Sequence, residues 1–204
     1  MKMLAQGAEA KLYLSEYLGK KCIVKVRQNK AYREKALDRK IITERLRAEC
    51  NLVSRAKSAG VRTPLIYKVD IEGCAITFEF LEGTRLKEGL LMAGSEKAGM
   101  LCAEFGKTVA KLHSAGIVHF DLTTSNAIMH NGKIALLDFG LGEVSARIED
   151  MAVDILALKR TFMATHYRHA EGWRELEEAY SANFQNGHAA LRQVAEIEAR
   201  ARYY

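Results

Sequence analysis

The sequence predicts an α+β protein with two lobes, because strand patterns dominate its first part and helix patterns dominate the rest. Residues 1–83 hold four short apolar segments around one long amphipathic stretch. Residues 84–204 hold long stretches with apolar residues at helical spacing, interrupted by one hairpin pattern. A break at Glu82-Gly83-Thr84 separates the two patterns. We therefore expect an amino-terminal lobe of residues 1–83, a carboxy-terminal lobe of residues 84–204 and a ligand cleft between them.

The amino-terminal part is expected to run strand, strand, helix, strand, strand. Residues 12–17 and 21–26 flank Gly19-Lys20, which suits a hairpin turn. Residues 36–59 carry apolar side chains at helical spacing, and Gly60 and Pro64 follow as stop signals. The two remaining strands are expected at residues 65–69 and 75–80, separated by Glu72-Gly73.

The carboxy-terminal part is expected to be helical except for one hairpin. Residues 96–114 place an apolar stripe on one face, which predicts a core-facing helix. His130-Asn131-Gly132 lies between two apolar runs, residues 127–129 and 133–137, and Asn-Gly in that setting predicts a tight turn. From Asp150 onward the pattern is helical to the end.

Composition excludes several classes of protein. The chain has no run of eighteen apolar residues and no secretory signal pattern, so we expect a cytoplasmic protein without a membrane span. Its four cysteines, Cys22, Cys50, Cys74 and Cys102, are far apart, which argues against a zinc site and favours reduced thiols.

Positive charge is concentrated in one stretch of the chain. The net charge is +6, and residues 25–62 contain twelve Lys or Arg against four Asp or Glu. Since this stretch includes the predicted long helix, a basic face is expected there. Such a face suits RNA or an acidic partner, and it is also compatible with plain solvation.

The strongest chemical signal is His119-Phe120-Asp121-Leu122-Thr123-Thr124-Ser125-Asn126, followed by Asp138-Phe139-Gly140. A carboxylate at Asp121 can orient or accept the proton of an attacking hydroxyl or water. Asn126 and Asp138 offer the hard oxygen ligands that Mg²⁺ prefers, and the hairpin between them folds both toward one point. The order and spacing match the H-x-D-L-x-x-x-N loop and the D-F-G element of protein kinases.

The resemblance to protein kinases implies further partners upstream. Ile23-Val24-Lys25-Val26 is similar to the strand whose lysine binds the nucleotide phosphates, and the helix that follows offers Glu49, or alternatively Glu44, as the partner of Lys25. The resemblance thus implies an ATP and Mg²⁺ site with Asp121 and Lys25 as catalytic residues and Asn126 and Asp138 as metal ligands. The implied nucleotide-binding residues are Gly7, Ala8, Glu9 and Ala10 of a glycine-poor phosphate loop, Lys25, Glu49, and Glu79 and Leu81 of a hinge for adenine.

Several kinase parts are missing, and the remainder resembles one small family. No A-P-E motif follows D-F-G, and residues 141–148 leave no room for an activation segment of ordinary length. The motifs Gly7-Ala8-Glu9-Ala10, Asp121-Leu122-Thr123-Thr124-Ser125-Asn126 and Glu149-Asp150-x-x-Val153-Asp154 resemble the PRPK (Bud-type) atypical kinases, so the fold implied is a minimal bilobal kinase. This family provides the kinase and ATPase subunit of the KEOPS complex.

The family resemblance implies partners as well as activity. It implies a Ser/Thr kinase and ATPase that supports threonylcarbamoyladenosine formation in tRNA, bound to the threonylcarbamoyl transferase subunit and other KEOPS subunits. Contact with tRNA is expected through the basic face, at Arg45, Arg47 and Arg55, and through the tail at Arg200 and Arg202. Asp154 is expected to accept backbone N–H bonds from the catalytic loop, and His119 to anchor it.

Two departures and two alternatives accompany this interpretation. The family usually has glycine where this chain has Phe120, and its basic tail here ends in Tyr203-Tyr204. The alternatives are a small-molecule phosphotransferase of the aminoglycoside-kinase type, whose large substrate domain has no room here, and a non-catalytic scaffold for tRNA or protein. His113, His166 and His169 have no ligand spacing, and a surface role is expected for His166 and His169.

Overall fold

The amino-terminal lobe is a five-stranded antiparallel sheet with one long helix. The computed structural model describes residues 1–7, 9–30 and 32–201, except for the side chain of Ala201. The sheet has the order β1-β2-β3-β5-β4. Its strands are β1 (Lys2–Gln6), β2 (Ala10–Tyr17), β3 (Lys20–Arg27), β4 (Ile66–Asp70) and β5 (Ala75–Glu79). The hairpin between β2 and β3 is confirmed, and β1 is an additional edge strand whose five residues are all exposed.

Helix α1 (Lys35–Ser58) confirms the predicted amphipathic stretch. It begins at Glu34, whose carboxylate accepts hydrogen bonds from the backbone N–H groups of Ala36 and Leu37. Its first half places Ile42 and Leu46 against the sheet, while Leu52 and its neighbours pack in the large core of the carboxy-terminal lobe. The helix therefore touches both lobes and can hold side chains at the cleft.

The carboxy-terminal lobe is built on five helices among the described residues. They are α2 (Leu86–Met92), α3 (Ser95–Ser114), α4 (Ile148–Thr165), α5 (Ala170–Asn183) and α6 (Gly187–Ala201). Helices α3 and α5 approach closely at Gly106, where an added Cβ would lie 2.3 Å from the Leu176 carbonyl oxygen. Trp173 is buried in this core.

Short strands frame the predicted catalytic segment. Strands β8 (Ala127–His130) and β9 (Lys133–Leu136) form the predicted hairpin, with positive φ angles at Asn131 and Gly132 in its turn. Strand β6 (Thr84–Arg85) extends it, and β7 (Ile117–Val118) pairs with β10 (Glu143–Val144). Because α4 begins at Ile148, only a short connection follows the D-F-G residues, as expected.

All four cysteines carry free thiols, with Cys22 and Cys102 buried and Cys50 and Cys74 half-buried. Burial raises the pKa of the Cys102 thiol to about 12, so this group is an unreactive apolar side chain at neutral pH. In the described ranges of the chain, none of the helices combines the length and apolarity needed to cross a bilayer.

Candidate nucleotide and metal site

The buried carboxylate of Asp154 on α4 holds the backbone of the catalytic loop. Its Oδ2 accepts the backbone N–H of His119 at 2.7 Å, and its Oδ1 accepts that of Phe120 at 2.9 Å. His119 adds a second anchor, because its Nε2 donates to the Leu137 carbonyl at 2.9 Å and its Nδ1 accepts the Asp121 N–H at 3.3 Å. The predicted anchoring roles of Asp154 and His119 are both confirmed.

A histidine that the sequence left without a role belongs to the same network. His113 on α3 is buried, and its Nε2 donates to Asp154 Oδ2 at 3.3 Å while its Nδ1 accepts the Tyr180 hydroxyl at 2.8 Å. Burial raises the pKa of Tyr180 above its usual value, so this hydroxyl stays protonated as a donor. Helices α3, α4 and α5 thus share one polar network beneath the loop.

Two of the predicted reactive groups contact each other at the cleft surface. Asp121 is exposed, and its Oδ2 accepts a hydrogen bond from Asn126 Nδ2 at 2.8 Å. The same amide donates to the Asp121 carbonyl at 2.9 Å, which fixes the side chain of Asn126 across the loop. The chain reverses between them in a single 3₁₀ turn, Thr124–Asn126, so the two groups face the same space.

Asp138 comes from the next segment of the hairpin and reaches the amino-terminal lobe. The Leu137 N–H donates to the Asn126 carbonyl at 2.8 Å, which places the D-F-G residues beside the catalytic loop. Asp138 has φ +56° and its side chain remains 46 % exposed, while the neighbouring Phe139 is buried in the core against the His119 ring. The left-handed backbone at Asp138 therefore turns the carboxylate into the cleft as the phenyl ring turns inward.

Lys25 on β3 links Asp138 to α1. Its Nζ lies 2.6 Å from Asp138 Oδ1 and 2.6 Å from Glu49 Oε1, and its side chain is only 8 % exposed. Burial would raise the pKa of Asp138, but the charge and hydrogen bond of Lys25 outweigh it and hold that pKa below its usual value. Glu49 is the partner of Lys25, whereas Glu44, the alternative, is exposed.

In the predicted phosphate loop, the side chain of Glu9 has protein partners of its own. The Gly7 N–H donates to the Ala10 carbonyl at 2.9 Å, which closes the loop into a tight turn, and Ala8 lies outside the described residues. The Glu9 side chain turns toward α1, where both its oxygens lie 2.7 Å from Arg45 Nη1. The hydrogen bond from Arg45 holds the pKa of Glu9 below its usual value. Glu9 is therefore tied by ion pairs.

The predicted hinge lies where the two lobes join. Glu79 ends β5, and its side chain pairs with Arg62 at 3.0 Å and accepts the Leu65 N–H at 3.0 Å. Leu81 is buried against Ile128 of the hairpin. The side chains of both residues thus have structural partners, which leaves backbone groups as the means by which this segment could bind adenine.

The basic stretch is divided between separate surfaces. Arg45 pairs with Glu9, while Arg47 and Arg55 are exposed elsewhere on α1. Arg200 is exposed near the end of α6, and Arg202, Tyr203 and Tyr204 lie outside the described residues. A further cavity of about 650 Å³ near the start of α1 is lined by both basic and acidic side chains, among them Arg33, Lys35 and Asp38.

The surface role expected for His166 is wrong. His166 ends α4, is buried, and contacts Thr124 of the catalytic loop, with 2.9 Å between His166 Nε2 and Thr124 Oγ1. Burial holds its pKa below the usual value, so the ring is neutral at neutral pH. The residues 166–169 leave the helix in a 3₁₀ turn, which removes the helical spacing that had suggested two surface histidines.

The donor set at the cleft suits magnesium held together with a nucleotide. Within residues 1–7, 9–30 and 32–201 there is no group of three or more His, Cys, Asp or Glu side chains arranged to bind a metal. Asn126 and Asp138 offer oxygens of the hard type that Mg²⁺ takes from proteins when phosphates supply its other ligands. The ammonium group of Lys25 lies beside them, 2.6 Å from Asp138 Oδ1, and a cation at this position is able to meet nucleotide phosphates.

Comparisons with known proteins agree with this geometry. The model of the protein kinase domain matches residues 1–173. The KEOPS complex subunit Bud32 of Pyrococcus abyssi is 42 % identical to this chain, and the match covers all of this chain and 96 % of the relative. The EKC/KEOPS complex subunit bud32 of Dictyostelium discoideum is 32 % identical, and the match covers 98 % of this chain and 82 % of the relative.

A second kind of relative is longer. The probable bifunctional tRNA threonylcarbamoyladenosine biosynthesis protein of Methanothermobacter thermautotrophicus is 39 % identical over 98 % of this chain, which spans 36 % of that relative. The chain matches about a third of such bifunctional proteins and nearly the whole of the Pyrococcus relative. The chain belongs to the protein kinase family and, within it, to the small Bud32-type kinases.

Proposed function

We propose that this protein binds Mg²⁺ and ATP in the cleft and acts as an ATPase and Ser/Thr kinase within a KEOPS complex. The observation that carries the proposal is the position of Lys25 Nζ, 2.6 Å from Glu49 on α1 and 2.6 Å from Asp138 on the carboxy-terminal lobe. A lysine held between these two carboxylates joins the phosphate-binding strand to the metal-binding residue.

Each residue of the cleft has a distinct task in this proposal. Asn126 and Asp138 hold the metal, which supplies charge neutralisation to the transferred phosphoryl group. Lys25 exchanges its contact with Asp138 for the nucleotide phosphates while Glu49 keeps its ammonium in place. Asp121 is exposed and next to Asn126, so it can orient a water molecule or a hydroxyl for attack. The backbone at Glu79 and Leu81 receives adenine.

The partner proposed is the threonylcarbamoyl transferase subunit, with the other KEOPS subunits around it. The support is the naming of the full-length relatives as KEOPS subunits and of the longer relatives as tRNA threonylcarbamoyladenosine biosynthesis proteins. The short connection between D-F-G and α4 leaves little surface for a peptide substrate, which favours ATP hydrolysis in support of the partner. The cytoplasm, where tRNA is modified, is the proposed location.

The first test measures ATP hydrolysis with and without the transferase subunit. Asp138→Asn keeps the left-handed backbone, which asparagine tolerates, and removes the metal-binding charge. We expect hydrolysis to fall by at least a hundredfold. Glu171→Gln, an exposed carboxylate on α5, is the matched control and should leave the rate unchanged. Full hydrolysis by Asp138→Asn in the presence of the partner would refute the metal assignment.

Binding of tRNA is proposed through the exposed arginines Arg47 and Arg55 and the end of α6 at Arg200. Replacing Arg47 and Arg55 together by glutamine should weaken binding of tRNA by the assembled complex and lower its salt dependence, by roughly one unit of slope for each lost phosphate contact. Arg174→Gln, at an exposed position of α5, serves as the control. An unchanged affinity and slope would remove this face from the proposal.

A further inference from the structure

A chain of alternating charges runs from the phosphate loop to the metal-binding aspartate. Its contacts are 2.7 Å between Arg45 and Glu9, 3.4 Å between Glu9 and Arg27, and 2.7 Å between Arg27 and Glu49. Two contacts of 2.6 Å then lead from Glu49 through Lys25 to Asp138. Arg27, at the middle of this chain, belongs to none of the motifs found in the sequence.

Arg27 lies beside Lys25 because both are on one face of β3. They are two residues apart, so their side chains leave the strand on the same side. An added Cβ at Gly140 would lie 3.1 Å from Arg27 Nη2 and 3.1 Å from Lys25 Nζ. The two cations therefore both lie next to Gly140, the last residue of the D-F-G element. Glu49 contacts Lys25 with one carboxylate oxygen and Arg27 with the other.

Burying the charged side chain of Arg27 costs free energy of hydration, so its presence in the core indicates a role beyond stabilising the fold. Its side chain is 3 % exposed, and its Nε has no hydrogen-bond partner within the part of the chain that the structure describes. A buried ion pair is often less stabilising than apolar side chains of similar volume, because both charges lose their hydration. A buried guanidinium whose Nε lacks a partner among the described residues is therefore better explained by its contact with Glu49, which it can hold in place, than by a gain in stability.

Glu9 is the other unexplained member of the charge chain. The loop that contains it has little glycine, and its described ends are closed by the Gly7 to Ala10 hydrogen bond and by the bond from the Gln28 N–H to the Glu9 carbonyl, at 3.0 Å. The Glu9 carboxylate is 42 % exposed and reaches α1 through Arg45 and β3 through Arg27. It thus connects the loop to both elements that position Lys25.

We propose that Arg27 and Glu9 are positioning residues for the ATP reaction. Arg27 holds Glu49 in the orientation that presents its other oxygen to Lys25, and Glu9 fastens the phosphate loop to Arg27 and Arg45. The loop and the Lys25–Glu49 pair then move as one unit. This inference rests on the proposed nucleotide site and adds two residues that act through others.

The test compares Arg27→Gln, Arg27→Lys and Glu9→Gln in steady-state ATP hydrolysis by the full chain with its transferase partner. Arg27→Gln frees Glu49, so kcat should fall at least tenfold through misplacement of Lys25. Glu9→Gln should raise KM for ATP by about fivefold, the upper value expected for a half-exposed ion pair, with little change in kcat. Arg27→Lys keeps a charge near Glu49 but cannot span both carboxylates, so it should resemble Glu9→Gln.

The dependence of KM for ATP on ionic strength is a second measurement, and it distinguishes a positioning role from partial unfolding. Salt screens the exposed Glu9 contacts as well as nucleotide binding itself, so KM should rise more steeply with salt in the unmodified protein than in Glu9→Gln. Glu72→Gln, an exposed carboxylate of the same lobe, is the control and should follow the unmodified protein. Thermal unfolding of every variant shows whether each remains folded under the assay conditions.

The outcomes separate this inference from the proposed function. If the unmodified protein with its partner hydrolyses no ATP, the proposed function fails and the inference fails with it. If it hydrolyses ATP and loses activity on Asp138→Asn, but Arg27→Gln and Glu9→Gln keep unmodified kcat, KM and salt dependence, only the inference is overturned. A fall in kcat for Arg27→Gln together with a raised KM for Arg27→Lys and Glu9→Gln supports it.

Discussion

At the position of Phe120, a glycine variant should be more stable than an alanine variant, which is the reverse of the order usual inside helices and strands. The residue has φ +57°, in the left-handed region that residues with a Cβ adopt at a cost. Its N–H is held by Asp154 Oδ1 at 2.9 Å, so the loop imposes this angle, and its ring packs against the main core. Phe120→Ala and Phe120→Gly both remove the ring, and only the second relieves the backbone.

The expected difference follows from two opposing effects. A residue with a Cβ in the left-handed region costs about 1–2 kcal/mol, which alanine pays and glycine does not. Glycine instead loses about 0.5–1 kcal/mol through the greater freedom of its unfolded chain. Because the loss of ring packing is common to both variants, Phe120→Gly should be the more stable by about 0.5–1 kcal/mol. For a chain of this size that corresponds to about 1–4 °C in the unfolding midpoint.

Thermal unfolding of the two variants, monitored by circular dichroism, measures this difference directly. Lys40→Ala and Lys40→Gly, at an exposed position of α1, form the control pair, for which alanine should be the more stable by about 1 kcal/mol. The reasoning is refuted if Phe120→Ala equals or exceeds Phe120→Gly in midpoint while the Lys40 pair behaves normally. ATP hydrolysis should survive in Phe120→Gly, since Asp154 still fixes the loop.

Three further predictions concern the core of the carboxy-terminal lobe. Asp154→Asn should lower the unfolding midpoint by about 6–12 °C. One of the two charge-assisted hydrogen bonds to the loop backbone is lost, and the amide NH₂ group then faces a backbone N–H, so the free energy of unfolding should fall by about 3 kcal/mol in total. A change below about 2 °C would contradict this prediction. The pKa of His166 is lowered in the folded protein, so the unfolded chain binds the proton more readily. The free energy of unfolding should therefore fall as pH drops below about 6.5. His166→Gln should make the free energy of unfolding depend less on pH in this range, as unfolding measured at several pH values would show. At pH 8, iodoacetamide should label Cys74 well before Cys102, whose pKa is about 12, as peptide mass mapping would show, and equal labelling would count against a closed core.

The parts of the site that lie close together along the chain could be predicted from the sequence. Asp121, Asn126 and Asp138 come from one loop and one hairpin, so their types and spacing already imply a common space. The choice of Glu49 over Glu44 also agrees with the structure. It depended on a resemblance between motifs, because spacing by itself left both glutamates available on the same helix.

The contacts that depend on burial could not be predicted in this way. Charged residues such as Arg27, Glu9 and Arg45 are usually exposed, and nothing in their local sequence distinguishes a buried guanidinium from a solvated one. For the same reason His166 was misjudged and His113 was left without a role, since their partners Thr124 and Asp154 lie about forty residues away along the chain. Strand β1 has five exposed residues and hence no alternation of apolar side chains to reveal it.

The two networks of this protein meet at the D-F-G segment. From the carboxy-terminal lobe, Asp154 and His119 hold the catalytic loop, and His119 reaches the Leu137 carbonyl at 2.9 Å. From the amino-terminal lobe, Lys25 reaches Asp138 at 2.6 Å, one residue further along the chain. With so short a connection between D-F-G and α4, Asp138 depends on these neighbours for its position. We infer that the buried histidines and the ion pairs supply the rigidity of the site.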